Sequence, residues 1–220
     1  MDYVRDVFTI SVLIAVYNTP FNLVKRAINS VLQQDFEDFE IILIDDGSNN
    51  DIYNLMLDYS KKYEDKITYI RHRNCGQSQS INRGIRNSLG KFIAILDADD
   101  EYQVNHLSKC LEQMINADLI ASTTTTIVDS DADYYVPDKL DNQKLVHVDD
   151  CILFATLFGK TEVFNMLQFQ DIYAADAYFF EQASLHFRVK KVHLRTYIYY
   201  RNIAGSICAN MKAKNSITLV

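Results

Sequence analysis

The chain has 220 residues, of which 48% are hydrophobic and 23% are charged, and its formal net charge is −7. This composition is sufficient for a folded core, and the negative charge argues against nonspecific binding of nucleic acid. No apolar run approaches the roughly 20 residues of a membrane helix, and the acidic start of the chain does not resemble a secretory signal. We expect a single cytoplasmic domain over residues 1–220 that does not bind nucleic acid.

Buried strands alternate with amphipathic helices along the first half of the sequence. Continuous apolar runs rich in β-branched residues predict strands at 10–16, 39–44, 67–71 and 91–96. Apolar residues at helical spacing predict helices over 21–34, around 52–59, over 78–89 and over 104–116, with a fifth strand at 118–123. This alternation predicts an α/β fold with a mainly parallel sheet and right-handed crossovers.

Polar residues follow each of the first four predicted strands. They are Tyr17-Asn18, Asp45-Asp46, the loop 72–77 and the stretch Asp97–Glu101. Because ligands bind outside the carboxyl ends of parallel strands, we expect these four segments to line one cleft. The turn after the first strand is Tyr-Asn-Thr-Pro, so it lacks the glycines of a dinucleotide site, and the chain has no P-loop.

The fourth strand is followed by four acidic residues within five positions, namely Asp97, Asp99, Asp100 and Glu101. Like charges at this spacing repel one another. Clustered carboxylates favour a hard divalent cation, Mn²⁺ or Mg²⁺, which can bridge protein oxygens to a diphosphate. The alternative is that these side chains cap a helix and remain in water.

Charge and cysteines are distributed unevenly. The last acidic residue is Glu181, and the basic residues that follow it are Arg188, Lys190, Lys191, Arg195, Arg201, Lys212 and Lys214. This basic segment either balances the acidic surface in solvent or faces phosphates. The cysteines are Cys75, Cys110, Cys151 and Cys208. Their spacing fits neither a paired zinc motif nor a disulfide framework, so we expect four reduced thiols.

Four stretches together resemble the family 2 glycosyltransferases of the GT-A fold. They are SVLIAVYN, IILIDDGSNND, NCGQSQSINRGIRNSLGKFIAILDADD, and AADAYFF followed by YYRNIAGSI. The resemblance covers about residues 9–206 and implies a Rossmann-like, mainly parallel sheet flanked by helices. It also implies a nucleotide-sugar-binding half at about 9–123, an acceptor half at about 124–206 and a C-terminal tail at 207–220.

The resemblance implies roles for five residues that would contact the donor nucleotide. Tyr17 and Asn18 would border the nucleotide, and Asp46 would accept a hydrogen bond from the uracil N3–H. Asp45 would support that pocket. Arg201 would contact the diphosphate, although it could instead pair with an acidic group.

The same resemblance assigns the acidic cluster to the sugar nucleotide and its metal. Asp97 and Asp99 stand at the two ends of the family's Asp-x-Asp motif, where they would touch the ribose and the metal. Asp100 would be a metal ligand if the register shifts by one residue. The metal, Mn²⁺ or Mg²⁺, would stabilise the departing nucleoside diphosphate.

Asp176 stands where the family has its catalytic base. It would take the proton from an acceptor hydroxyl while that oxygen attacks the anomeric carbon, which gives a single displacement with inversion. The alternative is that Asp176 caps the helix that begins AYFFEQASL, and Asp171 is the second candidate for the base. The chain departs from the family pattern at Ala175, Ile81 and Val104, and the glycines usually found before the base region are missing around NMLQFQD. The donor half matches the family well and the acceptor half poorly.

The expected function is therefore a metal-dependent inverting glycosyltransferase with a UDP-linked donor. Its acceptor would be a glycan or a lipid-linked glycan in surface polysaccharide or glycolipid synthesis, and the basic C-terminal tail would contact the inner face of the membrane. One alternative is a non-catalytic nucleotide-sugar-binding module, or the donor-binding half of a larger enzyme. Another is a sugar-phosphate nucleotidyltransferase, which would need a Gly-rich basic loop after the first strand.

Overall fold

The computed structural model describes residues 8–49, 51–138 and 144–201. The strands are β1 (Ile10–Val16), β2 (Phe39–Asp45), β3 (Ile67–Arg71), β4 (Phe92–Asp97), β5 (Glu101–Tyr102), β6 (Leu119–Ile127), β7 (Tyr135–Pro137), β8 (Leu145–His147), β9 (Leu157–Lys160) and β10 (Val189–Tyr200). The helices are α1 (Phe21–Leu32), α2 (Ile52–Lys62), α3 (Gln77–Asn87), α4 (His106–Gln113), α5 (Thr161–Leu167) and α6 (Ala175–Ser184). The tail at 207–220 lies outside the described residues.

Eight of the described strands form one sheet in the order β3-β2-β1-β4-β9-β6-β10-β5, and β7 pairs with β8. Parallel pairs join β1 to β2 and β4, β2 to β3, and β6 to β10. β9 runs antiparallel to both β4 and β6, so those two strands point the same way. Six strands therefore end at one edge, and the expected mainly parallel sheet is confirmed.

The sheet is buried on both faces, which explains why its central strands are continuously apolar. Val12 and Ile14 of β1 pack with Val24 and Ile28 of α1 in one core layer. Leu13, which points to the opposite face, belongs to a second layer with helices α3, α5 and α6. The helical layers hold the sheet so that its carboxyl edge stays open to a ligand.

Most predicted elements are confirmed with small shifts at their ends. The helix expected over 104–116 is α4, followed by a short 3₁₀ turn at Met114–Asn116. The strand expected at 118–123 is β6, which continues to Ile127. In α2, Ile52 and Met56 are buried, whereas Leu55 is 49% exposed.

Asp118 ties the start of β6 to the neighbouring strands. Its Oδ1 accepts hydrogen bonds from Lys160 Nζ at 2.8 Å and from Arg188 Nη2 at 3.0 Å. Its Oδ2 accepts hydrogen bonds from the Nε and the backbone N–H of Arg188, both at 3.0 Å. The hydrogen bonds from Arg188 and Lys160 hold the pKa of Asp118 well below its usual range. Arg188 of the basic segment is therefore paired with an acidic group.

We expect Asp118→Asn to lower the free energy of unfolding at neutral pH. We also expect the unfolding free energy of this variant to fall less steeply as the pH is lowered. A depressed carboxyl pKa stabilises the fold above the unfolded-state value of about 3.9, and the contribution is lost as the pH falls through the folded-state pKa. Urea unfolding between pH 6 and pH 3 measures both effects. Asp58→Asn, which removes an exposed carboxylate, is the control. Parallel pH profiles for Asp118→Asn and the unmodified chain would contradict the assignment.

Candidate active site

Asp45 closes the turn that follows β2. This buried carboxylate accepts a hydrogen bond from the Ser48 N–H through Oδ1 at 2.8 Å. Its Oδ2 accepts the Tyr69 hydroxyl at 2.9 Å and lies 3.3 Å from Arg71 Nε. Both oxygens therefore contact protein groups, which favours a supporting role for Asp45 over direct contact with a nucleotide.

Asp46 binds the loop that follows β3. Its Oδ1 accepts the Cys75 N–H at 2.7 Å, and its Oδ2 accepts the Gly76 N–H at 2.9 Å and Asn74 Nδ2 at 3.0 Å. A carboxylate offers about four acceptor positions, so about one remains, on Oδ1, and it faces the Cys75 thiol and His72 Nδ1, which is 3.5 Å from Oδ1. The buried Asp46 thus positions the 72–77 loop and keeps one lone pair for a further donor.

Gly47 allows the two strand exits to approach each other. Its φ is +73°, and a Cβ at this position would lie 2.6 Å from the backbone nitrogen of Asn74. A side chain would therefore meet both backbone strain and a steric clash. The sequence motif Asp-Asp-Gly-Ser is explained by this contact, because only glycine leaves room for the 72–77 loop.

Tyr17 and Asn18 follow β1 at the same edge. The Asn18 N–H donates to Ser48 Oγ at 3.1 Å, and Asn18 Oδ1 accepts the Asn49 N–H at 3.0 Å. Asn18 thereby joins the exit of β1 to the exit of β2. Tyr17 is 50% exposed, so its ring is accessible at the rim of the cleft.

Asp97 and Asp99 form the acidic turn after β4. Gln77 Nε2 donates to Asp97 Oδ1 at 2.9 Å. Burial, together with the charges of Asp99 and Asp176, raises the pKa of Asp97 to about 7. Within the described ranges, neither Asp97 nor Asp99 forms an ion pair with a basic side chain. Two crowded carboxylates without an ion-pair partner fit a divalent metal ion, although the charge of Arg26 acts on Asp99 from its position on the Asp99 backbone carbonyl.

Asp100 lies next to these two residues but contacts a different part of the protein. It is 1% exposed; its Oδ2 accepts the Tyr197 hydroxyl at 2.6 Å, and its Oδ1 accepts the Tyr200 N–H at 2.7 Å. Both oxygens are therefore occupied by β10. Asp100 therefore anchors the acidic turn to β10, and its use as a metal ligand stays a prediction.

Three residues at the acidic turn were missed by the sequence analysis. Arg26 of α1 donates to the backbone carbonyl of Asp99, and its guanidinium lies 3.9 Å from the ring centre of Tyr200. Tyr197 donates to Asp100 from β10. Arg26 lies on an ordinary amphipathic helix, and no local signal distinguishes it from other surface arginines.

Asp176 lies in the first turn of α6, on the acceptor side of the cleft. Its Oδ1 accepts the Ala177 N–H at 2.8 Å, and its Oδ2 accepts the Phe154 N–H at 3.1 Å. The bond to Ala177 lies within the first turn of α6, and the bond to Phe154 joins α6 to a different segment. The cap position of α6 is Ala174, which has no side-chain cap hydrogen bond. The charge of Asp176 also contributes to the raised pKa of Asp97, so the two carboxylates lie close enough to interact.

Asp171 and Asn82 lie where the segment before α6 meets α3 and the 72–77 loop. Asp171 is exposed, and its Oδ1 lies 3.9 Å from the position that a Cβ on Gly76 would occupy. The buried Asn82 of α3 donates to the Phe169 carbonyl at 2.7 Å and accepts the Phe169 N–H at 2.8 Å. This pair of hydrogen bonds fixes the segment before α6 against α3.

Arg201 follows β10 at the same edge of the sheet. It is 8% exposed, and its Nη2 lies 3.5 Å from the Tyr135 carbonyl. Its Nε and Nη1 are buried and have no hydrogen-bond partner among the residues that the structure describes. A buried guanidinium without such partners is unfavourable, so its position indicates an anionic ligand.

We expect Gly47→Ala to loosen the 72–77 loop in addition to destabilising the fold. A positive φ costs a non-glycine residue about 1–3 kcal/mol, and the clash with Asn74 adds to this. Hydrogen exchange at the Cys75 and Gly76 amides, which donate to Asp46, should accelerate more than global unfolding explains. Asn54→Ala, at an exposed position of α2, is the control. Equal loss of protection at all amides would refute the local effect.

Comparisons with known proteins agree with this architecture. The model of glycosyl transferase family 2 matches residues 11–175. An uncharacterized glycosyltransferase of Rickettsia prowazekii is 29% identical over 197 residues, which is 81% of this chain and 60% of the relative. One from Rickettsia bellii is 41% identical over 116 residues, which is 53% of this chain and 16% of the relative. The chain thus spans only part of these relatives.

Two solved structures share the fold at low sequence identity. TarS from S. aureus in complex with UDP-GlcNAc has a TM-score of 0.70 at 18% identity, with 92% of this chain and 60% of that chain covered. The mannosyltransferase PcManGT from Pyrobaculum calidifontis, in complex with GDP-Man and Mn²⁺, has a TM-score of 0.72 at 14% identity, with coverages of 95% and 61%. With the family model matching three quarters of its length, the chain belongs to glycosyl transferase family 2 and adopts the GT-A fold.

Proposed function

We propose that this chain transfers a sugar with inversion from a nucleotide sugar, expected to be UDP-linked, to a hydroxyl group of an acceptor. One observation carries the proposal: Asp176, the candidate base, lies within electrostatic reach of the acidic turn at Asp97. In this proposal the base for the acceptor and the site for the donor diphosphate would share one cleft. Family membership supports this reading of the geometry.

The donor nucleotide would lie across the exits of β1 and β2. Asp46 would accept the uracil N3–H through the remaining lone pair of its Oδ1, while Asp45 holds the turn beneath it. Tyr17 and Asn18 would border the nucleotide at the rim. TarS was solved with a uridine nucleotide and PcManGT with a guanosine nucleotide, so the choice of UDP here rests on Asp46.

The diphosphate would lie between the acidic turn and Arg201. Asp97 and Asp99 would hold Mn²⁺ or Mg²⁺, with Asp97 also near the ribose, and PcManGT was solved with Mn²⁺. A bound divalent ion would offset the charge that develops on the departing nucleoside diphosphate. Arg201 would donate to the phosphate oxygens through the Nε and Nη1 groups that have no described protein partner.

Asp176 would act as the general base. The acceptor oxygen attacks the anomeric carbon while the bond from that carbon to the diphosphate oxygen breaks, and Asp176 takes the hydroxyl proton. The N–H groups of Phe154 and Ala177 hold the carboxylate in place during this step. Attack from the face opposite the leaving group inverts the configuration of the sugar.

We further propose a glycan or lipid-linked acceptor, as in surface polysaccharide or glycolipid synthesis, at the cytoplasmic face of the membrane. Within the described ranges, no helix is both long and apolar enough to cross a bilayer. Arg188 and Arg195 of the basic segment pair with Asp118 and Asp149, which supports the charge-balancing interpretation for those two. The other charges of the segment that could face phosphates are Lys190 and Lys191, which are exposed on β10, and Lys212 and Lys214, which lie outside the described residues.

A second candidate is a donor-binding module without activity of its own. Ala175 precedes Asp176 where the family commonly has a glutamate, and the chain spans only part of its relatives. Conversion of the donor to free sugar or to a transfer product separates the two functions, because a binding module would bind the nucleotide sugar without turnover.

We expect UDP to bind much more tightly with Mn²⁺ or Mg²⁺ than in EDTA, and we expect Asp99→Ala to remove most of that difference. The reason is that the Asp99 carboxylate would be a ligand of the ion that bridges to the diphosphate. Isothermal titration calorimetry measures both affinities. Asp65→Ala, which removes an exposed carboxylate elsewhere, should retain the metal effect. Equal UDP affinity in metal and in chelator would exclude the metal-dependent site.

We expect Asp176→Asn to lower the transfer rate by about 10²–10⁴-fold with little change in donor affinity, because an amide cannot accept the proton. An effect on capping alone would be small, since asparagine and aspartate cap helices comparably. Rates at saturating donor, together with thermal unfolding, distinguish chemistry from stability. Asp171→Asn is the matched variant for the second candidate base. Near-normal transfer by Asp176→Asn and loss of transfer by Asp171→Asn would reverse the assignment.

A further inference from the structure

Three side chains with different metal-ligating atoms meet beside the exit of β2. They are Asp46, His72 and Cys75, whose ligand atoms all lie within 4.8 Å of one another. His72 Nδ1 is 3.5 Å from Asp46 Oδ1 and 3.5 Å from Cys75 Sγ. The transfer reaction proposed above uses neither His72 nor Cys75, so this cluster is unexplained by it.

The spacing of these atoms matches a tetrahedral zinc site. Zinc binds thiolate sulfur at about 2.3 Å and imidazole nitrogen or carboxylate oxygen at about 2.0–2.2 Å. Tetrahedral geometry then places the nitrogen about 3.6 Å from the sulfur and about 3.4 Å from the oxygen. The two separations from His72 Nδ1, both 3.5 Å, require little movement, and the sulfur lies within 4.8 Å of the Asp46 oxygen.

The surroundings of each ligand atom are also suitable. Asp46 Oδ1 accepts the Cys75 N–H and keeps about one lone pair. His72 Nδ1 lies 2.8 Å from the Arg73 carbonyl, so a hydrogen bond at this nitrogen would be exchanged for the bond to the metal. Cys75 is exposed, which leaves a fourth position open to water.

The donor set favours a thiophilic ion over the ion of the acidic turn. Thiolate and imidazole select zinc, whereas Mn²⁺ and Mg²⁺ prefer oxygen ligands. The thiol releases its proton to solvent on binding, and one thiolate and one carboxylate neutralise the charge of a divalent ion. The cluster is therefore distinct in chemistry from Asp97 and Asp99.

We propose that Asp46, His72 and Cys75 bind a thiophilic divalent cation such as Zn²⁺, and that this cation and the nucleotide base exclude each other. The two ligands would compete for the same lone pair on Asp46 Oδ1. The exclusion rests on the proposed function, because it requires the base to be bound by Asp46. The cation site itself does not, since it follows from the three ligand atoms alone.

Co²⁺ is the probe for the cation site, because a cobalt–thiolate bond gives a charge-transfer absorption band that oxygen ligands do not. We expect the metal-free full chain to develop this band with one equivalent of Co²⁺, and Zn²⁺ to remove it. Cys75→Ser should abolish the band, and Cys151→Ser, which removes another thiol, should retain it. Absence of the band, or its persistence in Cys75→Ser, would overturn the site.

Uridine tests the exclusion, because it carries the base without phosphates that would chelate cobalt. Uridine should reduce the band in a concentration-dependent way, and free ribose should not. A band that is unchanged at uridine concentrations shown by calorimetry to saturate the metal-free chain would overturn the exclusion. If neither uridine nor UDP binds under any condition while the band forms, the proposed function fails and the cation site stands.

Discussion

The buried carboxylate of Asp100 holds the site together, because it joins the turn after β4 to the end of β10. Its two oxygens accept the Tyr197 hydroxyl and the Tyr200 N–H, so the acidic turn cannot shift without breaking both bonds. Arg201 directly follows Tyr200, the last residue of β10, and its position relative to Asp97 therefore depends on the same contact. Arg26 supports the turn from the opposite side through the Asp99 carbonyl. The metal-binding and phosphate-binding groups of the proposed site are in this way parts of one hydrogen-bonded unit.

The site carries electrostatic strain that the fold alone does not relieve. Burial and the nearby charges of Asp99 and Asp176 raise the pKa of Asp97, while Arg201 is buried with two donor groups that have no partner among the described residues. The crowded carboxylates leave negative charge without compensation, and two donor groups of the positively charged Arg201 lack an acceptor. A nucleoside diphosphate with a divalent cation supplies charges of both signs, which is why one ligand class accounts for both features.

The sequence predicted the strands whose burial is uniform, and it predicted which residues follow them. β1, β2 and β4 are covered on both faces, so their apolar runs are continuous and their exits stand out. The short antiparallel strand β9 and the two-residue β5 gave no such signal, because four residues or fewer show no periodicity. Asp99 and Asp100 are chemically identical neighbours, so only the contacts with β10, about a hundred residues later in the chain, distinguish a free carboxylate from an anchored one.

The hydrogen-bond pair between Asn82 and Phe169 has a consequence for how this domain can vary. Asn82 lies in α3, the helix that begins directly after the 72–77 loop, and Phe169 lies in the segment that leads to Asp176. A backbone segment held at both its N–H and its carbonyl by one amide has its register fixed to within a residue. Insertions or deletions between Phe169 and Asp176 would thus displace the Asp176 carboxylate directly. Those before Phe169 would change the preceding segment and leave the position of Asp176 unchanged. Acceptor segments exchanged between relatives should be joined before Phe169, and they should keep an amide at position 82.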